Sequence, residues 1–135
     1  MEELEINDSM SKDLIEAVCK LKRLYTFDFS NNQLPNMMTQ SIANMCNQFH
    51  MLEILCLDHC EMTDDICRYV FHSASNTKLQ FLNISWNQLS GDSIGDIVRV
   101  VQQNQSLEKL AMQHNRFGEG DLSEFANAIE THESM

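Results

Sequence analysis

Two groups of side chains in this sequence have the types and spacing to do chemistry. Cys56, His59 and Cys60 stand close together, and His114 is a further imidazole downstream. Thiolate and imidazole are zinc ligands, at about 2.3 Å and 2.0–2.1 Å. Asp28 and Asp58 are carboxylates that a fold could bring side by side for acid–base work. The remaining signals are weak. There is no HExxH, no nucleophile elbow and no glycine-rich phosphate loop. The histidines at 50, 59, 72, 114 and 132 are scattered. Trp86 is the only tryptophan. Which of these groups can meet depends on the elements that carry them.

Those elements are repeats. Residues 79–89 read LQFLNISWNQL, with Leu79, Leu82, Ile84 and Leu89 apolar and Asn87 between the last two. The pattern LxxLxLxxNxL is the leucine-rich-repeat signature. Its L-x-L centre is a short strand with alternate residues turned inward. Where the chain turns away, backbone N–H and C=O groups need partners, and an Asn amide offers both a donor and an acceptor. Residues 24–34 (LYTFDFSNNQL), 52–62 (LEILCLDHCEM) and 107–117 (LEKLAMQHNRF) fill the same slots. A degenerate copy opens the chain with Met1, Leu4 and Ile6.

Each repeat continues into a helix. Counting from the Asn or Cys slot, the seventh, tenth, eleventh and fourteenth residues are apolar or Cys in all four repeats, apart from Thr39. That spacing is one face of an α-helix. Pro35-Asn36, Thr63 before Asp64 and Asp65, and Ser90-Gly91-Asp92 mark helix starts. Strand joined to strand through a helix predicts a parallel sheet with right-handed crossovers. Helices are about 10–12 Å wide and strands about 4.8 Å apart, so stacked units fan into an arc with the strands inside. The expected fold is an α/β leucine-rich-repeat solenoid, with a curved sheet on its concave side and helices on its convex side. Residues 1–23 are expected to be a degenerate capping repeat, with a strand at Leu4 and Ile6 and a helix from Ser11 carrying Leu14, Ala17, Val18 and Leu21. Residues 24–135 form one continuous domain of four repeats.

This frame sorts the reactive groups. The third slot of each repeat gives Thr26, Ile54, Phe81 and Lys109, and the fifth gives Asp28, Cys56, Asn83 and Ala111. The seventh gives Ser30, Asp58, Ser85 and Gln113, and the eighth gives Asn31, His59, Trp86 and His114. All four rows are expected to face the inside of the arc. His59 and His114 are then two strands apart, about 10 Å, too far for one zinc ion. Cys60 takes the inward slot and Cys56 faces outward, which separates them. Asp28 and Asp58 read as solvated surface acids. Trp86 stands where the core needs no side chain, flanked by His59 and His114, with Phe81 and Ile54 beside it. Apolar groups facing water mark a contact surface. The expected protein-binding residues are Trp86, Phe81, His59, His114, Ile54, Asp58 and Asp28. No metal, cofactor or catalytic centre is expected.

The chain carries 20 acidic and 9 basic residues, for a formal charge of −11. That disfavours a nucleic-acid backbone or an anionic membrane and permits a basic protein partner. The first ten residues are acidic, which predicts no signal peptide. No stretch approaches the roughly 18 apolar residues of a membrane span. Five cysteines at 19, 46, 56, 60 and 67 fall mostly in apolar slots. They read as reduced thiols in a cytoplasmic protein. The sequons at Asn83 and Asn104 read as chance in an Asn-rich chain. Beyond 107–117 no further repeat is present, so the strand there is expected to leave an open edge. Self-association, if it occurs, is expected to make a homodimer through that C-terminal edge.

The long repeat with a full helix resembles the ribonuclease-inhibitor-like class of leucine-rich repeats, found in ribonuclease inhibitor and in the ligand-sensing ends of NOD-like receptors. The likeness is carried by a Cys-type repeat, with Cys60, Thr63 and Cys67, followed by an Asn-type repeat, with Asn87, Leu89, Gly91 and Gly95. It departs at Asn115, where strict alternation would place Cys. The resemblance implies a protein–protein interaction module that binds through its strand face and is not an enzyme. Two alternatives stand beside it. One is a GTPase-activating regulator, as in Ran GTPase-activating proteins on the same scaffold, using Asp58, Asn83 and Asn31. The other is an excised piece of a larger receptor or bacterial effector.

Overall fold

The computed structural model describes residues 13–14, 16–34, 39–75 and 77–133. Four short strands, β1 (Thr26–Asp28), β2 (Ile54–Cys56), β3 (Phe81–Asn83) and β4 (Lys109–Ala111), form one parallel sheet in chain order. Four helices follow them in turn: α1 (Thr39–Gln48), α2 (Asp64–Ala74), α3 (Ile94–Gln103) and α4 (Glu119–Glu133). A 3-10 turn, Gly91–Ser93, leads into α3. The register aligns slot with slot: Thr26, Ile54, Phe81 and Lys109 form one row, and Asp28, Cys56, Asn83 and Ala111 another. The expected strand at Leu4 and Ile6, the Ser11 helix start and the Pro35-Asn36 signal lie outside the described residues.

The core is linear. Leu52, Leu55, Leu57, Leu79, Leu82, Ile84 and Leu89 are fully buried between sheet and helices. From the helices come Ile42, Cys46, Cys67, Val70, Phe71, Ala74, Ile94 and Ile97. The helical stripe keeps its expected slots in α1 and α2, where Ala43, Cys46, Phe71 and Ala74 are buried, and extends one residue further. Met45, Ser73 and Val100, one residue before the expected fourteenth position, are buried, while Val98 and Val101 are only half-buried. A helix turns about 100° per residue, so the inward face is set by the whole stripe rather than by four slots. At the N-terminal side Val18 packs on the core, but Leu14, Ala17 and Leu21 are exposed. The chain leaves its helical turn at Cys19 and Lys20, which takes Leu21 off the inward face.

The turns are tied by side-chain amides. Asn87 Oδ1 accepts from Cys60 N (3.1 Å) and Met62 N (2.9 Å). Its Nδ2 donates to the carbonyls of Leu57, Ile84 and Ser85. Asn115 Oδ1 accepts from Leu89 N, and its Nδ2 donates to Ile84 O and Met112 O. Cys60 is a partial substitute. Its thiol donates towards Phe29 O (3.3 Å) and Asp58 O (3.4 Å). Asn104 does the same work on the return side, accepting from Leu79 N and donating to Ala74 O. It is 3% exposed, so its sequon is sealed in the fold.

A second tie runs along the helix starts. Thr63 makes no side-chain cap bond. Asp64 instead receives Ser90 N (2.9 Å), Ser90 Oγ (2.6 Å) and the Ser93 hydroxyl from the next repeat. Gly91 lies close under Asp121 of the last repeat, and a Cβ there would clash with Asp121 Oδ1.

Candidate protein-binding face

The eighth-slot residues Asn31, His59, Trp86 and His114 all adopt left-handed backbone, with φ of 62°, 53°, 56° and 58°. The turn off each strand needs that conformation. It costs a non-glycine residue about 1–2 kcal/mol, least for Asn and Asp. The inter-repeat ladder holds it in place. Asn31 N donates to Asp58 O, His59 N to Ser85 O and Trp86 N to Gln113 O. These bonds continue the parallel pairing beyond the strands and fix the direction of each side chain.

The result is a stack of three rings. His59 lies 5.1 Å from Trp86 between centroids, at 14°, and His114 lies 3.7 Å from it on the other side, at 16°. Both faces of the indole are covered, yet Trp86 remains 50% exposed. Its edge therefore faces solvent in a fixed orientation. The two imidazoles are separated by the indole, so they cannot share a metal ion. Among the described residues no three His, Cys, Asp or Glu side chains converge as a metal site would require.

Asp58 is more than a solvated acid. Its Oδ1 accepts from Ser30 Oγ (2.5 Å) and Asn83 Nδ2 (3.0 Å), and Oδ2 lies 3.1 Å from His59 Nδ1. Burial alone would raise its pKa, but the bonds from Ser30 and His59 outweigh that and hold it below the ordinary carboxylate range. Asp58 thus ties three adjacent repeats and braces one ring of the stack. Asp28 Oδ1 accepts from Ser30 N, beside this network. Ile54 and Phe81 are neighbours in the third row, and Lys109 Nζ lies 5.0 Å over the Phe81 ring. The expected residues fall in two clusters: the ring stack with Asp58, with Asp28 beside it, and the Phe81–Lys109 pair with Ile54.

The seventh row does not lie open as expected. Ser85 is buried, and its hydroxyl has no hydrogen-bond partner among the described residues. The turn draws this slot toward the core, and only Gln113 in it is exposed. Neither the left-handed row nor the Asp58 network is visible in the sequence. Asn31 and His114 are among the residue types that tolerate such backbone, but Trp86 conceals the pattern.

The thiols are quiescent. All five cysteines are free. Burial pushes Cys46, Cys60 and Cys67 up to about 12. Cys56, on the strand face, is also raised, first by burial and then by the charges of Asp28 and Asp58. None is set up as a thiolate nucleophile at neutral pH.

Comparison with known proteins agrees with this geometry. A family model described as Leucine Rich repeat matches residues 75–97 and 103–126, spanning most of the last two repeats. No curated protein matches the chain. Among solved structures, it is similar to that of Leiomodin-1 Actin-Binding Site 2, with a TM-score of 0.71 and 16% identity. The alignment covers 95% of this chain and 75% of that one. Sheet order, slot register, Asn ties and both likenesses converge: the chain is an α/β leucine-rich-repeat solenoid.

Proposed function

We propose that this solenoid is a protein-binding module that holds its partner on the strand face around Trp86. One observation carries the reading. A tryptophan occupies a left-handed position where Asn would cost less, and its ring is clamped by two imidazoles with its edge in solvent. Backbone strain of this kind is concentrated at functional sites. A pre-oriented aromatic is the side chain best suited to anchor an interface at low entropic cost. Asp28 and Asp58 add negative charge beside it, which fits a basic patch on the partner. In this reading no catalytic step is needed. The GTPase-activating alternative is weaker, because Asp58 is already engaged by Ser30, Asn83 and His59.

The ribonuclease-inhibitor-like subtype is part of the same proposal, supported by the full helix in each repeat and by Cys60 in the Asn slot. A reducing, cytoplasmic setting fits the five free thiols. Self-association through the β4 edge is a secondary proposal. β4 lies at the edge of the sheet, and Leu110, Met112, Phe117 and Leu122 line a groove of about 340 Å³ beside it. Light scattering at rising concentration tests this, and a strict monomer refutes it.

The main test is capture of partners by immobilised protein, with Trp86→Ala as control. Actin, after which the similar leiomodin-1 site is named, is one defined probe. The shared fold does not itself carry that partner over. Any partner held by the strand face should be lost in the variant while circular dichroism is unchanged. A partner retained at full affinity places its contact elsewhere.

A further inference from the structure

The opposite side of the molecule holds a site of reversed charge. Helices α1, α2 and α3 enclose an open groove of about 440 Å³. Gln40 and Asn47 line it from α1, Arg68, Tyr69 and His72 from α2, and Arg99 from α3. Among the described residues no carboxylate lines it. In a chain with 20 acidic and 9 basic residues, two arginines and a histidine around one groove are a local inversion of sign. The repeat produces it. Gln40 and Arg68 hold the same helical slot in successive repeats, and Asn44, His72 and Arg99 hold another. Side chains in one slot form a row across the helices.

The arginines retain donors for a ligand. Arg68 has no ion pair among the described residues. It acts at longer range on Asp64, but that carboxylate is committed to Ser90 and Ser93. Arg99 lies 3.6 Å from Asp96, longer than the 2.7–2.9 Å of a charge-assisted hydrogen bond. Its side chain is half-exposed. Tyr69, 59% exposed, adds an aromatic side chain to the lining. In α3 the slot of Arg68 is Gly95, where an added Cβ would meet nothing within 4 Å.

We propose that this groove docks an extended acidic segment of a partner protein. Guanidinium groups take carboxylates through paired N–H donors. Gln40 and Asn47 offer amides to the peptide backbone. Neighbouring helices are about 8–10 Å apart, which three extended residues span. Acidic side chains at that interval would reach Arg68 and Arg99 together. A nucleic acid is disfavoured, because its dense charge meets the −11 of the whole chain and only two guanidinium groups.

The probe is a fluorescein-labelled hexaglutamate peptide, followed by anisotropy at about 0.15 M salt. There the Debye length is about 8 Å, so remote carboxylates of the chain are screened while groove contacts persist. The expected result is saturable binding, weakened about ten-fold by the double variant Arg68→Glu/Arg99→Glu. Gly95→Glu should weaken it too, by placing a carboxylate beside the arginines on an otherwise sound helix. Trp86→Ala, on the strand face, should leave it unchanged, which separates this site from the one proposed above. Arg68→Gln/Arg99→Gln carries the test should charge reversal unfold the protein. The proposal is overturned if the wild type does not bind the peptide, if both double variants bind it equally well, or if single-stranded RNA binds the groove in its place.

Discussion

The two central repeats and the last one use the same slots and reach different ends. Leu82, Ile84 and Leu89 are fully buried; Leu110, Met112 and Phe117, their counterparts, are only partly so. On the helices, Ile94 is buried and its counterpart Leu122 is 48% exposed. Asn87 makes five side-chain hydrogen bonds and Asn115 three. A slot therefore decides which way a side chain points. How much it stabilises depends on the repeat beyond it, as nearest-neighbour coupling in a solenoid requires.

The sharpest way to break this comparison is to put the same charge in both places. Ile97→Asp buries a carboxylate with no partner and is expected to cost about 4 kcal/mol or more. At a marginal total stability that unfolds much of the chain. Leu122→Asp leaves its carboxylate near water and is expected to cost less than about 1 kcal/mol. Urea denaturation of the two variants checks this. Equal losses would mean that the last helix is as well covered as the third.

The amide ties give the next contrast. Asn87→Ala strands two buried N–H donors and the Leu57 carbonyl, while Ile84 O keeps Asn115 Nδ2 and Ser85 O keeps His59 N, for an expected loss of about 3 kcal/mol. Asn115→Ala should cost about half as much. A reversed order in thermal melts would show that the last repeat is the stiffer one.

These contrasts also separate what is legible in the sequence from what is not. The strand register, the inward Cys60 and the Asn ties follow from LxxLxLxxN alone, because period-2 alternation and amide chemistry leave little choice. Trp86, His59 and His114 fall in one row for the same reason. Their stacking does not follow, since it needs the left-handed turn and the ladder of bonds from the next repeat. Asp58 looks like an isolated surface acid in the sequence because Ser30, Asn83 and His59 converge on it from three repeats. Asp64 looks like a helix-start acid serving its own repeat, whereas its partners are in the next. Asn104 has no pattern to flag it. The alternation of slots is local and legible; bonds between repeats are not.

On the strand face the comparison becomes one of stability against binding. Trp86→Asn removes the ring but suits the left-handed backbone, so stability should change by no more than about 1 kcal/mol. Partner affinity should fall by more than about 1 kcal/mol. A variant that loses several kcal/mol of stability instead would make Trp86 a packing residue, and the strand-face reading would fail.

The smallest effect concerns two acids that join interior repeats. Burial disfavours the charged forms of Asp58 and Asp64, but hydrogen bonds outweigh it: Ser30 and His59 on the first, Ser90 and Ser93 on the second. Both folded pKa values are thereby lowered. A carboxylate depressed in the folded state contributes stability that is complete above its unfolded pKa, about 3.9. That contribution is lost as pH falls through the folded value. Wild-type protein should therefore lose melting temperature below about pH 4. The double variant Asp58→Asn/Asp64→Asn should be less stable at pH 7, because each amide replaces an anion that only accepts with a group that is half donor. Its melting temperature should also depend less on pH between about 5 and 3. Parallel pH profiles for the two proteins would show that acid acts elsewhere, and that these carboxylates join the repeats without the energetic weight their geometry implies.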